Sequence, residues 1–496
     1  MQRTIQRSDR IGWAVLILSP VLLLLALSLL MGFSLENVYP VWQDELGFWR
    51  TLYSWNEYGF STGYYGMYEE TAAIGTMGIS GIGPILIYGG FVKLFGLSHN
   101  TIMLANAAWC TLAAAVFCAM RKPRLSVSLM FAAGMTIYAP LVLYCLTSMT
   151  HWFDYALMFL FVTFLLEYQE KRKSWMLAAC VLTTMLGVLY MPMYCVLFIP
   201  VIMIFCRYQF GWKLIVSAFA ALILSAVCCY FGMQTAAPSA QGFIYHLLRA
   251  PDPATFVQML LSHAKGNLTE YFTRSGGSVM QLSFRVMYFG MMALCLAAAF
   301  WRTARRSDRR WTMLFGFRPP MLSCFLILFA AFGFTILLYD VGDWRDYRRL
   351  APYLWLVIAF LINRRRFVLP TISLSACAVI LMLLIARPEG AFLDADRFRE
   401  PAAPEALIEV ATSLTYEDDA EDPFANTIRT DVYSYPLMEA IHPGLGLQYG
   451  WFTTETTGKS RWILTDRLKC PVSGYENVLD AEDYKLYRLI DPSKED

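Results

Sequence analysis

Four short stretches of the sequence carry charge where chemistry could use it. The stretch Val38-Tyr-Pro-Val-Trp-Gln-Asp44-Glu45-Leu-Gly-Phe-Trp-Arg50 places two adjacent carboxylates at the start of an amphipathic segment rich in aromatics (Trp42, Phe48, Trp49, Tyr53, Trp55). Acids in a first helical turn are favoured by the helix dipole. The pair therefore reads either as a helix cap or as a carboxylate base tuned by apolar surroundings and a neighbouring acid. Later in the same region Tyr64-Tyr-Gly-Met-Tyr-Glu69-Glu70 offers a second acidic contributor or a solvated loop pair. The stretch Thr147-Ser-Met-Thr-His151-Trp-Phe-Asp154-Tyr opens an apolar run with a histidine and an acid. Asp154 is a helix-start acid or a functional one, and His151 a hydrogen-bonded structural residue or a substrate contact. Finally, Tyr339-Asp-Val-Gly-Asp-Trp-Arg345-Asp346-Tyr347-Arg348-Arg349-Leu-Ala-Pro352-Tyr353 gathers three arginines among three aspartates. Guanidinium forks bind phosphate well. Unless these arginines serve only to pair with Asp340, Asp343 and Asp346, they form a site for a lipid phosphate or diphosphate.

The elements that must position these residues follow from composition. Of 496 residues, 57% are apolar and only 16% charged, against about 25% charged in an ordinary soluble domain; the mean hydropathy is +0.46. This excludes a disordered chain and a disulfide-stapled miniprotein. A net charge of +2 carries no basic excess for nucleic acid. The composition describes a polytopic membrane protein. A crossing helix needs roughly 20 mostly apolar residues. Candidates begin with Ile11 to Phe33 and continue at 102–120, 126–145, 151–166, 174–190, 191–206, 212–232, 284–301, 320–338, 350–363 and 367–386. The run 80–97 is also apolar but is broken by Gly81, Gly83, Pro84, Gly89, Gly90 and Lys93.

Cytoplasmic loops are rich in Lys and Arg. The basic clusters are Arg3/Arg7/Arg10, Arg121/Lys122/Arg124, Lys171/Arg172/Lys173, Arg207/Lys213, Arg302 to Arg310 with Arg318, and Arg364/Arg365/Arg366. With all of them inside, every span from Arg124 onward alternates correctly. Between Ile11 and Arg124 the alternation holds only if 80–97 does not cross. The expected fold is therefore an all-α polytopic membrane protein of about 11 transmembrane helices with its N-terminus inside. Residues 1–386 form the membrane domain, with an outer juxtamembrane loop at 34–101. Residues 387–496 form a small extracytoplasmic α/β domain with strand-like runs at Arg461–Leu464 and Tyr484–Ile490. Charge sorts the same way: residues 1–386 hold 29 basic and 16 acidic side chains, and 387–496 hold 11 and 22. Eleven of the twelve cysteines fall in or against spans, and no Cys or His spacing suggests zinc. The sequon Asn267-Leu268-Thr269 reads as a chance match.

The span centres are nearly free of charge, and the charges gather at the outer mouths. An ion-coupled transporter would place ionisable groups near the midplane. In order and sidedness the chain resembles the C-type (GT-C) integral-membrane glycosyltransferases, which include the lipid A aminoarabinose transferases and protein O-mannosyltransferases. The resemblance rests on an acidic pair after the first span (Asp44-Glu45) and a Pro-containing turn into a juxtamembrane helix (Gly83-Pro84). It also rests on a later acid (Asp154), a Tyr-Arg run followed by Pro (Tyr347-Arg348-Arg349-Leu-Ala-Pro352), and a soluble C-terminal domain. The family's turn often reads His/Lys-Pro-Pro, of which one Pro is present here.

The resemblance implies an enzyme of the plasma (inner) membrane that moves a sugar from a polyprenyl phosphate to an acceptor hydroxyl on a glycan, lipid or protein at the outer face. Nucleotide sugars are absent there, so the donor must be membrane-borne, and phosphate is a leaving group that needs no general acid. By this likeness Asp44 is the base. Glu45 and Asp154 orient it or the acceptor, or hold a divalent cation (Mg or Mn). Arg345, Arg348 and Arg349 grip the donor phosphate, and Tyr347 lines the sugar and prenyl site. His151, Glu69 and Glu70 are candidate substrate contacts. One displacement with a base gives inversion. The alternative is a lipid-linked glycan flippase or other transporter, which should show polar residues and Gly/Pro breaks inside paired spans.

Overall fold

The computed structural model describes residues 5–59, 81–209, 211–235, 243–273, 279–300, 319–339, 349–386, 395–417, 422, 424–432, 434–449, 459–467, 469–470, 472–481 and 484–490. Glu69, Glu70, Arg345, Tyr347 and Arg348 lie outside the described residues.

Among the described residues, five helices are long and apolar enough to cross a membrane: α1 (Arg7–Met31), α4 (Thr101–Arg121), α10 (Trp212–Thr235), and long stretches of α13 (Val279–Phe300) and α14 (Pro319–Leu338). Shorter apolar helices fill the rest: α3 (Gly83–Phe95), α5 (Leu125–Ile137), α8 (Ser174–Tyr190), α15 (Ala351–Asn363) and α16 (Val368–Ala386). α7 (His151–Lys171) matches the length of α4 but carries acids in its first and last turns. α7 and α15 are buried on nearly all sides, as befits helices that are apolar all round.

Both ends of α1 meet α4 or its flanks. At one end Trp13 Nε1 donates to the Pro123 carbonyl (2.9 Å), and the Leu125 amide donates to Asp9 Oδ1 (3.1 Å). At the other, Asn100 Nδ2 donates to the Leu35 carbonyl (3.2 Å) and His99 Nε2 meets the Glu36 carbonyl (2.5 Å). The chain thus leaves α1 and enters α4 at the same end, here called the upper end. α2 (Gln43–Tyr58) and α3 belong to that end; at 1.5 Å per residue, α3 is about 20 Å long, short of the roughly 30 Å of a bilayer core.

The lower end is tied by charge. Arg121 pairs with Glu167 and Glu170 (2.8 Å each) and reaches Asn363 Oδ1 (3.5 Å), Lys171 pairs with Glu167, and Arg364 donates to Gln169. The basic clusters after α4, α7 and α15 therefore share one end with the start of α1.

Two segments depart from the expected spans. The run 126–145 is helical only to Ile137; Tyr138 is extended, and α6 (Ala139–Val142), with Pro140 in its first turn, follows as a single turn. The run 191–206 starts as a 3-10 helix (Pro192–Leu197) before α9 (Phe198–Phe205), because Pro192 cannot continue α8. Between α10 and α13 lie α11 (Phe243–Leu248) and α12 (Pro253–Thr273). Asn267 of the sequon is buried in α12, donating to the carbonyls of Ile336 and Tyr339 (2.8 Å each).

After α16 come α17 (Glu405–Ser413), α18 (Tyr435–Ala440) and a five-stranded sheet: β1 (Thr427–Thr430), β2 (Gly446–Tyr449), β3 (Trp462–Thr465), β4 (Tyr475–Ala481) and β5 (Tyr484–Leu489). The strand order is β2-β1-β3-β5-β4, with β2, β1 and β3 parallel and β3, β5 and β4 antiparallel. The two strand-like runs of the sequence are β3 and β5. This unit sits on α2. Arg50, almost wholly buried, donates through its terminal nitrogens to the carbonyls of Met438, Ile441, His442 and Leu445 (2.5–3.3 Å) at the end of α18. The Tyr435 ring packs against Trp49 (4.9 Å), Tyr39 (5.8 Å) and His99 (5.7 Å).

Candidate functional site

Two acids occupy the first turn of α2 and face different surroundings. Asp44 is half-buried at the helix start. Glu45 is fully buried, and its carboxylate accepts from four donors. The amides of Val41 (3.0 Å) and Trp42 (2.9 Å) bond Oε2, while the Ser148 amide (2.6 Å) and Arg397 Nη1 (2.7 Å) bond Oε1. A carboxylate has about four lone-pair sites, so Glu45 has none left for a substrate or a metal. From the first turn of α2 it reaches back to the amides of the two residues ahead of the helix, as a capping-box acid does, and adds bonds to two more segments.

The second cluster opens α7. Asp154 is buried; Oδ2 meets His151 Nδ1 (3.1 Å), and Tyr194 donates its hydroxyl to Oδ1. Tyr194 is presented by the 3-10 turn that Pro192 forces, and Gly187 clears room for it: a Cβ at Gly187 would lie 2.7 Å from Tyr194 Cγ. The hydroxyls of Thr150 and Tyr190 touch beside this cluster. Gly83 at the start of α3 lies against Tyr190, with a Cβ there 2.8 Å from Cδ2.

An aromatic path joins the clusters. Trp42, the residue before α2, meets the Tyr144 ring edge-on (6.3 Å), and Tyr144 meets His151 (4.6 Å). Beyond Asp154, the Tyr194 ring approaches Tyr353 (6.1 Å) on α15. The Arg349 guanidinium lies over the Tyr339 ring at 4.2 Å. Of the residues singled out in the sequence, the structure thus gathers Asp44, Glu45, His151, Asp154 and Arg349 at the upper end. Sequence reading missed Tyr190, Tyr194, Tyr353 and Arg397. The Pro192 break between two apolar runs signals that Tyr194 leaves a regular helical course. Nothing local distinguishes Arg397.

A divalent cation would need convergent carboxylate oxygens. Those of Glu45 are saturated, and both oxygens of Asp154 are engaged. Among the described residues no three His, Cys, Asp or Glu side chains gather.

No protein-family model and no curated protein matches the chain. Among solved structures, the chain is similar to an oligosaccharyltransferase of Archaeoglobus fulgidus in complex with Zn and sulfate. That match has a TM-score of 0.42 and 11% identity, covering 91% of this chain and 68% of that chain. The apo form of that protein gives a TM-score of 0.41 and 12% identity, covering 88% of this chain and 64% of that one. Likeness at this level assigns neither fold family nor activity, and the functional reading rests on the geometry above.

Proposed function

We propose that this chain is a membrane glycosyltransferase of the GT-C kind, moving a sugar from a polyprenyl-phosphate donor to an acceptor hydroxyl at the outer face of the plasma (inner) membrane. The observation that carries this reading is the gathering of three groups at one end of an apolar bundle. These are a half-buried acid at the start of α2, a buried Asp–His–Tyr cluster, and Arg349 over the Tyr339 ring.

In the proposed reaction Asp44 takes the proton of the acceptor hydroxyl as its oxygen attacks the anomeric carbon. The bond from that carbon to the phosphate oxygen breaks, and the polyprenyl phosphate leaves with the electron pair. Arg349, with Arg345 and Arg348, stabilises the departing charge, and Tyr347 lines the sugar. Attack opposite the leaving group inverts the anomeric carbon. Asp154, held by Tyr194, fixes the His151 ring beside the acceptor. The acceptor is a glycan, lipid or protein, and the soluble unit faces it from outside.

The test is consumption of radiolabelled polyprenyl-phosphate sugars by the full chain in nanodiscs. The wild type is expected to release polyprenyl phosphate. Asp44→Asn, which keeps a helix-start acceptor, is expected to lose at least about 100-fold in turnover without a lower melting temperature. Transport of the intact donor between leaflets without release of polyprenyl phosphate would overturn the reading in favour of a flippase.

A further inference from the structure

The buried Glu45–Arg397 pair joins three segments distant in sequence. Arg397 belongs to a short 3-10 turn (Ala395–Phe398) just after the last membrane helix, and both partners have zero side-chain exposure at 2.7 Å. Arg397 grips the first outer loop in three ways. Its Nη1 also donates to the Tyr39 carbonyl (3.3 Å), its own carbonyl accepts from the Tyr39 amide (2.9 Å), and its guanidinium lies over Trp42 (4.9 Å). Next to it Phe398 stacks on Phe33 (4.1 Å). Through the Ser148 amide, Glu45 holds the loop that leads into α7. Asp44 is the residue before Glu45, and Asp154 lies six residues after Ser148, so one carboxylate sets the spacing between the two acids.

Stability alone does not account for this arrangement. Arg397 Nε and Nη2 are shielded from solvent and meet no acceptor. A buried ion pair with unused donors gives no more stability than well-packed apolar residues of the same volume. Apolar contacts such as Phe33–Phe398 set a distance; a carboxylate with four directed bonds sets an orientation.

We propose that Arg397 is a positioning residue for the transferase site, acting through Glu45, so that the segment after residue 387 is a working part of the outer mouth. This rests on the function proposed above.

The experiment uses the full chain in nanodiscs with Arg397→Gln, Arg397→Lys, Glu45→Gln and the Glu45→Gln/Arg397→Gln double variant. Misplacing a reacting group by about 1 Å costs on the order of 100-fold. Arg397→Gln should therefore lower kcat for donor consumption by roughly 10- to 100-fold with donor KM within about threefold. Arg397→Lys, which keeps the charge, should recover most of kcat. The double variant should be no worse than either single variant, as expected for two groups acting as one unit. Hydrogen exchange at the Val41, Trp42 and Ser148 amides should speed up together in Arg397→Gln. The proposal is overturned by kcat within twofold of wild type, by a loss that merely follows the folded fraction, or by unchanged exchange at those three amides. If the wild type consumes no donor, the functional reading fails, and the exchange measurement still decides whether Arg397 holds the loop.

Discussion

At the scale of single residues, the division of labour between neighbouring acids is the main result. Asp44 and Glu45 are chemically close, and their types and position beside an aromatic segment mark them in the sequence. What sorts them is Arg397, 352 residues away, which no local pattern reveals. His151 and Asp154 are legible as a pair because a spacing of three puts them on one helical face. Their third partner, Tyr194, lies 40 residues on in a proline-initiated turn. Tyr194→Phe should leave one buried Asp154 oxygen without its donor. The expected cost is about 1–3 kcal/mol in a chemical-denaturation measurement, together with roughly tenfold slower donor consumption. Tyr190→Phe removes a hydroxyl that touches Thr150, and should cost less in activity.

At the scale of elements, glycines and prolines decide where side chains can arrive. Gly187 on α8 admits the Tyr194 ring, whereas a Cβ at Gly90 on α3 meets nothing within 4 Å. Gly187→Ala should push Tyr194 away from Asp154 and lower donor turnover about tenfold or more, while Gly90→Ala should leave it within twofold. The apolar runs around Pro140 and Pro192 read as uninterrupted spans because hydropathy counts residues and ignores φ and lost donors. The Gly/Pro-broken run 80–97 is expected not to cross because charge alternation adds a second constraint to hydropathy.

The sheet adds a pH effect. Asp431, just after β1, accepts from Thr465 Oγ1 (3.0 Å) and Arg467 Nε (3.1 Å). Burial first, with help from the Asp466 charge, nevertheless raises its carboxyl above the usual value of 3.8. The folded chain therefore holds this proton more tightly than the unfolded one. The stability it contributes is complete below about 3.8 and is lost as pH rises through the raised folded value. Hydrogen-exchange protection of β1 and β3 in the full chain should fall across that window after correction for intrinsic rates, and Asp431→Asn should flatten the fall.

At the scale of the whole molecule, the two ends of the bundle differ in chemistry. The lower end joins Arg121, Glu167, Glu170 and Asn363 from three helices. The upper end carries the acids, the tyrosines and Arg349. The clustering of basic residues makes this polarity legible in the sequence, since charges are excluded from the apolar middle. Reporter fusions test it: alkaline phosphatase joined after residue 33 or after residue 99 should be active, and after residue 122 or 172 inactive. Opposite results at 33 and 99 would mean that 80–97 crosses.

The clasp of Arg50 on the end of α18 has a consequence for the proposed outward placement of the sheet-bearing unit. Under that proposal the unit meets whatever acidity and ionic strength the medium imposes. A joint built from surface carboxylates would loosen on acidification and weaken as salt rises. Here the donor is a guanidinium, which stays charged at any pH the protein meets, and the acceptors are peptide carbonyls, which do not titrate. Because Arg50 is buried, counter-ions do not reach it. The sheet-bearing unit is thus moored to α2 by a coupling indifferent to both pH and salt.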